Sequence, residues 1–131
     1  MTSDLLEISV DRRPAGDGEA ALVRVTGEVD LSNSAQLSGV LRSPACVESQ
    51  WVVLDLAEVP FMDSSGLQAL LVAIGELGSK LALVVTPGSA VGRLFELTQV
   101  SGRLADYASE EEALAALGAN SSGAQSPDAD G

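Results

Sequence analysis

The chain has 131 residues, of which 46% are hydrophobic and 3% aromatic, so we expect one domain with a core made mostly of aliphatic side chains. Nineteen acidic against seven basic residues give a net charge of −12, which argues against direct binding to nucleic acid or to anionic membranes, because both are bound chiefly through Lys and Arg. There is no histidine and one cysteine, Cys46, which excludes a Ser-His-Asp triad and metal sites built from His or from clustered thiolates.

Two strands and a helix are predicted in the first part of the chain. Apolar and polar residues alternate over residues 6–10, as in a half-buried strand, and a turn-rich loop follows at 14–18. A second strand at 21–26 ends at the sequence Gly27-Glu-Val-Asp30. The helix after it begins at a capping-box pair, Asn33 with Gln36, and ends at Ser43-Pro44. Its apolar residues at helical spacing are Leu37, Val40 and Leu41.

The middle of the chain predicts a strand, a long helix and a second strand. Residues 51–56 form a near-continuous apolar run, typical of a strand that is covered on both faces. Gly78 is a suitable stop for the helix, and residues 81–85 predict the next buried strand. The apolar face of the helix consists of Leu67, Leu70, Leu71, Ile74 and Leu77.

The last part predicts a shorter helix around Val91, Leu94 and Phe95 and a weak strand at 104–107. The sequence Ser109-Glu-Glu-Glu112 is a capping box that starts a final helix, for which we expect an end at Gly118. Residues 119–131 are rich in Ala, Ser, Gly, Asn and Asp, which predicts a disordered tail after a domain of residues 1–118.

This order predicts an α/β fold with a mixed, mostly parallel sheet packed by about four α-helices, in which the first two strands run antiparallel at one side. Sites in such folds tend to lie where the carboxyl ends of strands turn into helices. Asp30 follows the second strand and the sequence Asp63-Ser64-Ser65-Gly66 follows the third. We therefore expect these residues to converge on one edge of the sheet.

The two serines precede the long helix, where free backbone N–H groups and the helix dipole favour an anion. Ser65 and Gln68 have capping-box spacing, which predicts Ser65 as the N-cap and leaves Ser64 outside the helix and free to project into solvent. Gly66 would leave the first N–H groups uncovered. The alternative is that Asp63 and both serines are redundant helix-start residues, and spacing alone does not decide between the two interpretations.

The segment Val59-Pro-Phe-Met-Asp-Ser-Ser-Gly-Leu67, after Val52-Val-Leu-Asp-Leu56, resembles the signature of the STAS-domain anti-sigma factor antagonists. Gly27-Glu-Val-Asp30 resembles the second short motif of that family, and Gly88-Ser-Ala-Val-Gly-Arg-Leu-Phe95 is similar to its third helix. The resemblance extends over roughly residues 5–118.

The resemblance implies a partner-switching cycle. An unphosphorylated antagonist binds an anti-sigma factor that is itself an ATP-dependent serine kinase, and a sigma factor is released; the kinase then phosphorylates the antagonist, and a serine phosphatase resets it. On this chain the resemblance makes Ser64 the phosphoacceptor, and it places Asp30, Asp63, Ser65 and Gly66 with Ser64 in the partner-binding surface. It implies no enzymatic activity, no cofactor and no metal.

Other functions are less well supported by the residues. A serine hydrolase would need a base, and no His exists; its Gly-x-Ser-x-Gly elbow is also absent. A nucleotide-binding domain would need a Walker or Rossmann glycine pattern, which is not present. STAS domains also serve in stress-signalling assemblies and as subunits of phospholipid transporters, which stays the alternative. With no signal-peptide pattern at the N-terminus and no apolar run near 20 residues, we expect a cytoplasmic protein.

Overall fold

The computed structural model describes residues 6–98 and 106–123, which form one five-stranded sheet beside five α-helices. The order of the strands in the sheet is their order in the chain. β1 and β2 pair antiparallel, and β2 to β5 are parallel. The strands are β1 (Glu7–Ala15), β2 (Gly18–Thr26), β3 (Trp51–Glu58), β4 (Leu81–Val84) and β5 (Asp106–Tyr107). The predicted α/β class and mostly parallel sheet are confirmed.

The helices lie on both faces of the sheet. Each parallel strand lies next to the strand that precedes it in the chain, so all the crossovers run across the sheet in the same direction. Right-handed crossovers of this kind place the connecting helices on one face of the sheet. Only the helix after β5 is then free to cover the other face. The helices are α1 (Ser34–Leu41), α2 (Pro44–Val47), α3 (Ser64–Leu77), α4 (Ala90–Thr98) and α5 (Glu110–Gly123), with a 3-10 turn at Gly78–Lys80. The sequence does not predict the short α2: Ser43-Pro44 predicts only the end of α1, whereas proline also fits the first position of a new helix.

Strict alternation along the strands builds two apolar clusters. In β2, Val23 and Val25 face α1 and α3, whereas Leu22 faces α5. In β3, Leu54 and Val53 point to opposite faces in the same way. The near-continuous apolar run at 51–56 is therefore explained by a strand with a helical layer on each side.

The sequence assigned the wrong role to Gly118. It was expected to end the last helix, but α5 continues to Gly123. A Cβ atom at Gly118 would lie 2.7 Å from the backbone nitrogen of Gly16, in the turn between β1 and β2. Gly118 thus allows α5 to approach the hairpin closely, and the predicted domain boundary at residue 118 stays a prediction, with residues 124–131 outside the described part.

Two further helix ends agree with their predictions. Gly78 ends α3 with a φ of 61°, and the backbone N–H of Glu112 donates to Ser109 Oγ over 3.1 Å at the start of α5. Asn33 stands at the N-cap of α1, but its side chain makes no capping bond there. Of the last predicted strand, residues 104 and 105 lie outside the described residues.

Candidate functional site

The ends of β2 and β3 are joined beyond the strands themselves. Val29 and Met62 form an isolated parallel bridge. The backbone N–H of Val29 donates to the carbonyl of Phe61, and the N–H of Asp63 donates to the carbonyl of Val29, each over 3.0 Å. Asp30 and Asp63 each follow a residue of this bridge, so the two short motifs meet at one edge of the sheet, as expected.

The N-cap of α3 is Asp63, and the predicted capping box of Ser65 and Gln68 is wrong. Asp63 has an extended backbone, and its Oδ1 accepts from the N–H groups of Ser65 at 2.8 Å and Gly66 at 3.1 Å. A carboxylate is a stronger acceptor than a hydroxyl, and its negative charge is favoured at the positive end of the helix dipole. The aspartate therefore caps the helix in preference to the serines, and the helix begins two residues earlier than predicted.

The hydroxyl of Ser64 has no capping role in this arrangement. Ser64 is the first residue of α3 and is exposed, whereas Asp63 and Ser65 are half-buried. The sequence interpretation left Ser64 free because Ser65 was expected to cap; in the structure it is free because Asp63 caps. Ser64 is thus the more accessible of the two hydroxyls.

Gly66 is required by packing. It is buried, and a Cβ atom there would lie 2.7 Å from Met62 Cγ and 2.7 Å from Val29 Cγ1. The first turn of α3 is therefore pressed against the bridge between the two motifs. A larger residue would push the helix start, and Ser64 with it, away from Asp30.

Asp30 organises the loop that leads from β2 to α1. Its Oδ1 accepts from the backbone N–H of Ser32 at 2.9 Å and from Ser32 Oγ at 2.6 Å, and its own N–H donates to Asn33 Oδ1 at 2.9 Å. Such an Asx turn fixes the backbone through local side-chain bonds. It leaves Leu31 projecting with 78% of its surface exposed.

Exposed apolar side chains lie on α3 and in the segment that leads into it, and the sequence does not reveal them. Phe61, before α3, is 48% exposed, and Leu71 and Val72 on α3 are 42% and 40% exposed. Leu71 had been placed on the buried face. The available signal was the number of apolar residues in α3, which exceeds what one helix face can bury.

We call this surface the Ser64 face, and its helical part follows from the spacing along α3. Positions that are 4, 7, 8 and 11 residues after Ser64 lie on the same side of a helix, opposite buried Leu70 and Ala73. The stripe is about 16 Å long at 1.5 Å per residue. The Ser64 face consists of Leu31 and Phe61 in the loops and of Ser64, Gln68, Leu71, Val72 and Gly75 on α3, all of them exposed.

The charges beside the Ser64 face are acidic. Within residues 6–98 and 106–123, no Lys or Arg forms an ion pair with Asp30 or Asp63. Arg42 pairs instead with Glu76 farther along α3, and Lys80 donates to the carbonyl oxygens of Val47 and Ser49. The arrangement is an accessible hydroxyl set among apolar side chains and two carboxylates, which suits binding and modification.

The described residues lack two features that would change this interpretation. Among them, no helix is long and apolar enough to span a bilayer. The same part of the chain contains no cluster of three or more His, Cys, Asp or Glu side chains arranged to hold a metal ion.

The chain belongs to the STAS domain family, whose model matches residues 13–113. A solved anti-sigma factor antagonist from Mycobacterium paratuberculosis is 25% identical, with 87% of this chain and 95% of that one covered and a TM-score of 0.75. Phosphorylated SpoIIAA from Bacillus is 20% identical, with 82% and 96% covered and a TM-score of 0.59. SpoIIAA in its unphosphorylated form is 19% identical, with 82% and 93% covered and a TM-score of 0.61. This chain has the same fold as all three.

Proposed function

We propose that this protein is an anti-sigma factor antagonist whose unphosphorylated form binds an anti-sigma factor serine kinase through the Ser64 face, so that a sigma factor is released. Phosphorylation of Ser64 by that kinase ends the binding, and a serine phosphatase restores it. The protein acts by binding and not as an enzyme. The observation that carries the proposal is the exposed Ser64 hydroxyl, freed from capping by Asp63, within an apolar surface.

Accessibility supports Ser64 rather than Ser65 as the acceptor. A kinase must bring the acceptor oxygen in line with the γ-phosphate of ATP, so the hydroxyl has to enter the active site of another protein. Ser64 is exposed at the very start of α3, whereas Ser65 is half-buried. Exposed Leu31 and Phe61, in the loops at the Val29–Met62 bridge, offer the kind of apolar anchors that carry much of the energy at protein interfaces.

The capping bonds of Asp63 make a phosphate at Ser64 a disruptive group. The phosphate adds about −1.5 to −2 charges next to a carboxylate. The N–H groups of Ser65 and Gly66, which would otherwise favour an anion, already donate to Asp63. The helix dipole therefore stabilises the phosphate by at most about 0.3–1 kcal/mol. Repulsion and desolvation of about 3–4 kcal/mol against a partner would weaken binding roughly 100- to 1,000-fold.

The test begins with a candidate kinase and ATP, followed by mapping of the phosphosite by mass spectrometry. We expect phosphate on Ser64 in the wild type and in Ser65→Ala, and none in Ser64→Ala. Ser65→Ala is the matched control because it removes the neighbouring hydroxyl and leaves the Asp63 cap in place. Phosphate on Ser65, or elsewhere in the wild type, would overturn the site assignment.

Binding is then measured by calorimetry with the same kinase. Ser64→Ala is expected to bind as tightly as the unphosphorylated protein and to stay bound when ATP is added. Ser64→Asp is expected to bind at least tenfold more weakly. If both variants bind alike, the proposed switch is wrong even when Ser64 is the phosphosite.

A further inference from the structure

The outer edge of β1 has no neighbouring strand among residues 6–98 and 106–123. β1 is the first strand of the sheet, and all nine of its residues pair with β2 in an unbroken register. At the other edge of the sheet, β5 has only two residues. Because unpaired N–H and C=O groups along a strand are a template for a further strand, β1 offers the longer open edge for pairing with another chain.

The turn that joins β1 to β2 shows which backbone groups point outward. The turn has two residues, 16 and 17, and the pair that flanks it is Ala15 with Gly18. Such a flanking pair exchanges backbone hydrogen bonds, and hydrogen-bonded pairs then recur at every second residue of an antiparallel ladder. The odd-numbered residues of β1 therefore bond to β2. The residues whose N–H and C=O groups point outward are Ile8, Val10 and Arg12.

The side chains of β1 place apolar groups on one face of the sheet and charges mainly on the other. Ile8 and Val10 lie opposite Val25 and Val23 of β2, which belong to the apolar cluster on the α3 side, and Val10 is still exposed. With Arg12, the strand carries two acidic and two basic residues, so it is neutral on a molecule of net charge −12. The charged side chains on the α5 side are those of Glu7, Asp11 and Arg13.

We propose that β1 pairs with β1 of a second copy of this chain, antiparallel about a two-fold axis at Val10, so that two sheets join into one. In this register Val10 exchanges two backbone hydrogen bonds with the partner's Val10, and Ile8 does the same with the partner's Arg12. These are the residues whose backbone groups point outward. The exposed side chains of Val10 and of the partner's Val10 come together at the axis.

Charge complementarity selects this register among its neighbours. With Val10 at the axis, each Glu7 lies opposite the partner's Arg13, and no like charges lie directly opposite each other. An axis at Ser9 places Glu7 opposite the partner's Asp11. An axis at Asp11 places that aspartate opposite the partner's Asp11. Both alternatives are destabilised by directly opposed like charges.

The charges that meet in this register are available for the contact. Glu7 forms no ion pair with another residue of the described part, and Arg13 reaches Asp11 of its own strand only at 3.9 Å. Arg12, on the opposite face, pairs with Glu19 of β2 at 3.3 Å, so its charge is already balanced. By symmetry the Glu7–Arg13 pair forms twice in the dimer.

The end of the paired segment also fits the sequence. Pro14 has no N–H to donate, and in this register it lies opposite the partner's Leu6. The carbonyl of Leu6 already accepts from the side-chain amide of Gln36 at 3.4 Å, so it needs no donor from Pro14. The bond from Gln36 also agrees with the outward direction of the even-numbered backbone groups. Pairing therefore extends over residues 7–13 and stops where proline removes the donor.

The proposed dimer carries its two Ser64 faces at opposite ends. The two-fold axis reverses the direction of the strands, and each Ser64 lies beyond the carboxyl end of its own β3. Pairing along one strand edge buries less surface than a standard interface of about 1,600 Å², so we expect a weak dimer that forms at high protein concentration. It does not depend on phosphorylation.

The test is sedimentation of the wild type and of charge variants between about 10 µM and about 1 mM, the range in which small interfaces associate. Glu7→Arg and Arg13→Glu each oppose like charges twice in the dimer, so each is expected to weaken association at least about tenfold. An equal mixture of the two variants regains two oppositely charged pairs and is expected to associate within about threefold of the wild type.

Glu58→Arg is the matched control, because it makes the same change of charge at the exposed end of β3. It is expected to associate like the wild type. Amide hydrogen exchange gives a second readout in the wild type. The N–H groups of Val10 and Arg12 are expected to gain protection as the concentration rises, whereas those of Ser9 and Asp11, which bond to β2, keep theirs.

Four outcomes would each overturn the dimer. They are a wild type that stays monomeric at the highest concentration, single variants that associate like the wild type, a mixture that stays monomeric, and association without protection at Val10. The mixture keeps the test decisive, because two variants that regain association together must both be folded. None of these measurements involves the kinase, so their failure is distinguishable from failure of the proposed function.

Discussion

At the scale of single residues, neighbouring positions at the start of α3 have different structural roles. Asp63 satisfies the backbone of the helix, Gly66 permits its contact with Val29 and Met62, and Ser64 does neither. A position that the helix does not need for its own stability is open to modification without unfolding the domain. This division is the physical basis for placing the proposed switch at Ser64.

Replacement of Asp63 tests which residue caps the helix. Asp63→Ala removes two capping bonds and a favourable charge, so we expect a loss of about 1 kcal/mol in the free energy of unfolding. Ser65→Ala removes no capping bond and is expected to change it by less than about 0.5 kcal/mol. Urea unfolding measures both. A larger loss in Ser65→Ala than in Asp63→Ala would restore the capping box predicted from the sequence.

Replacement of Gly66 tests the close approach of α3 to the bridge. Gly66→Ala places a methyl group against Val29 and Met62, so we expect a loss of about 1–3 kcal/mol. Gly75 lies in the same helix with nothing within 4 Å of its Cβ position. Gly75→Ala is therefore expected to gain about 0.5–1 kcal/mol through helix propensity alone. Equal effects at the two positions, measured by thermal unfolding, would contradict the packing argument.

At the scale of elements, α3 is apolar on more than the side that packs on the sheet. Leu70 and Ala73 face the core, while Leu71 and Val72 are exposed on the same side as Ser64. Exposed apolar groups on a helix add little to the core, and a contiguous set of them is available to the proposed partner. The element thus serves both the fold and the proposed interface.

Substitution of Leu71 separates these two roles. Leu71→Gln is expected to leave the free energy of unfolding within about 0.5 kcal/mol and to weaken binding of the anti-sigma factor kinase about tenfold. Val47→Thr is the control, because Val47 is 52% exposed on α2, away from the Ser64 face. Calorimetric titration of the kinase compares them. Unchanged binding in Leu71→Gln would show that the α3 part of the Ser64 face does not contact the kinase.

At the scale of the whole molecule, two apolar clusters and a sheet that is hydrogen bonded throughout make the domain a rigid carrier for its surface. Modification at one exposed helix start is therefore expected to change the packing of this interior very little. A net charge of −12 also means that a phosphate adds to an already acidic surface. The expected effect of phosphorylation is electrostatic and confined to the interface.

This expectation is checked by backbone NMR of the protein before and after phosphorylation. Chemical-shift changes are expected to be confined to Ser64, to the first turn of α3 and to the adjoining loop around Asp30. The strands β1 and β4 and the helix α5 are expected to keep their shifts. Large changes in those elements would show a refolding mechanism and contradict blockade at the interface.

The sequence alone predicted most of the fold, because strand and helix periods and turn residues are local signals. It gave the α/β class, the antiparallel first hairpin and the meeting of Asp30 with the Asp63–Gly66 segment. It misassigned the cap of α3, since Asp63 and Ser65 both suit that position and only the backbone geometry of residue 63 selects between them. It also misassigned Gly118, whose function depends on a turn about a hundred residues earlier in the chain.

By itself the sequence determined that a helix starts at the Asp63-Ser64-Ser65-Gly66 segment, that no histidine is available for catalysis there, and that the surface is acidic. The tertiary structure decided which hydroxyl is accessible, which leucine of α3 faces solvent, and that Arg24 pairs with Glu110. The physical reason is that burial and pairing depend on contacts between distant segments, whereas capping motifs and periodicity are written in neighbouring residues. For this reason the location of Ser64 follows from the sequence, and its freedom to act follows only from the fold.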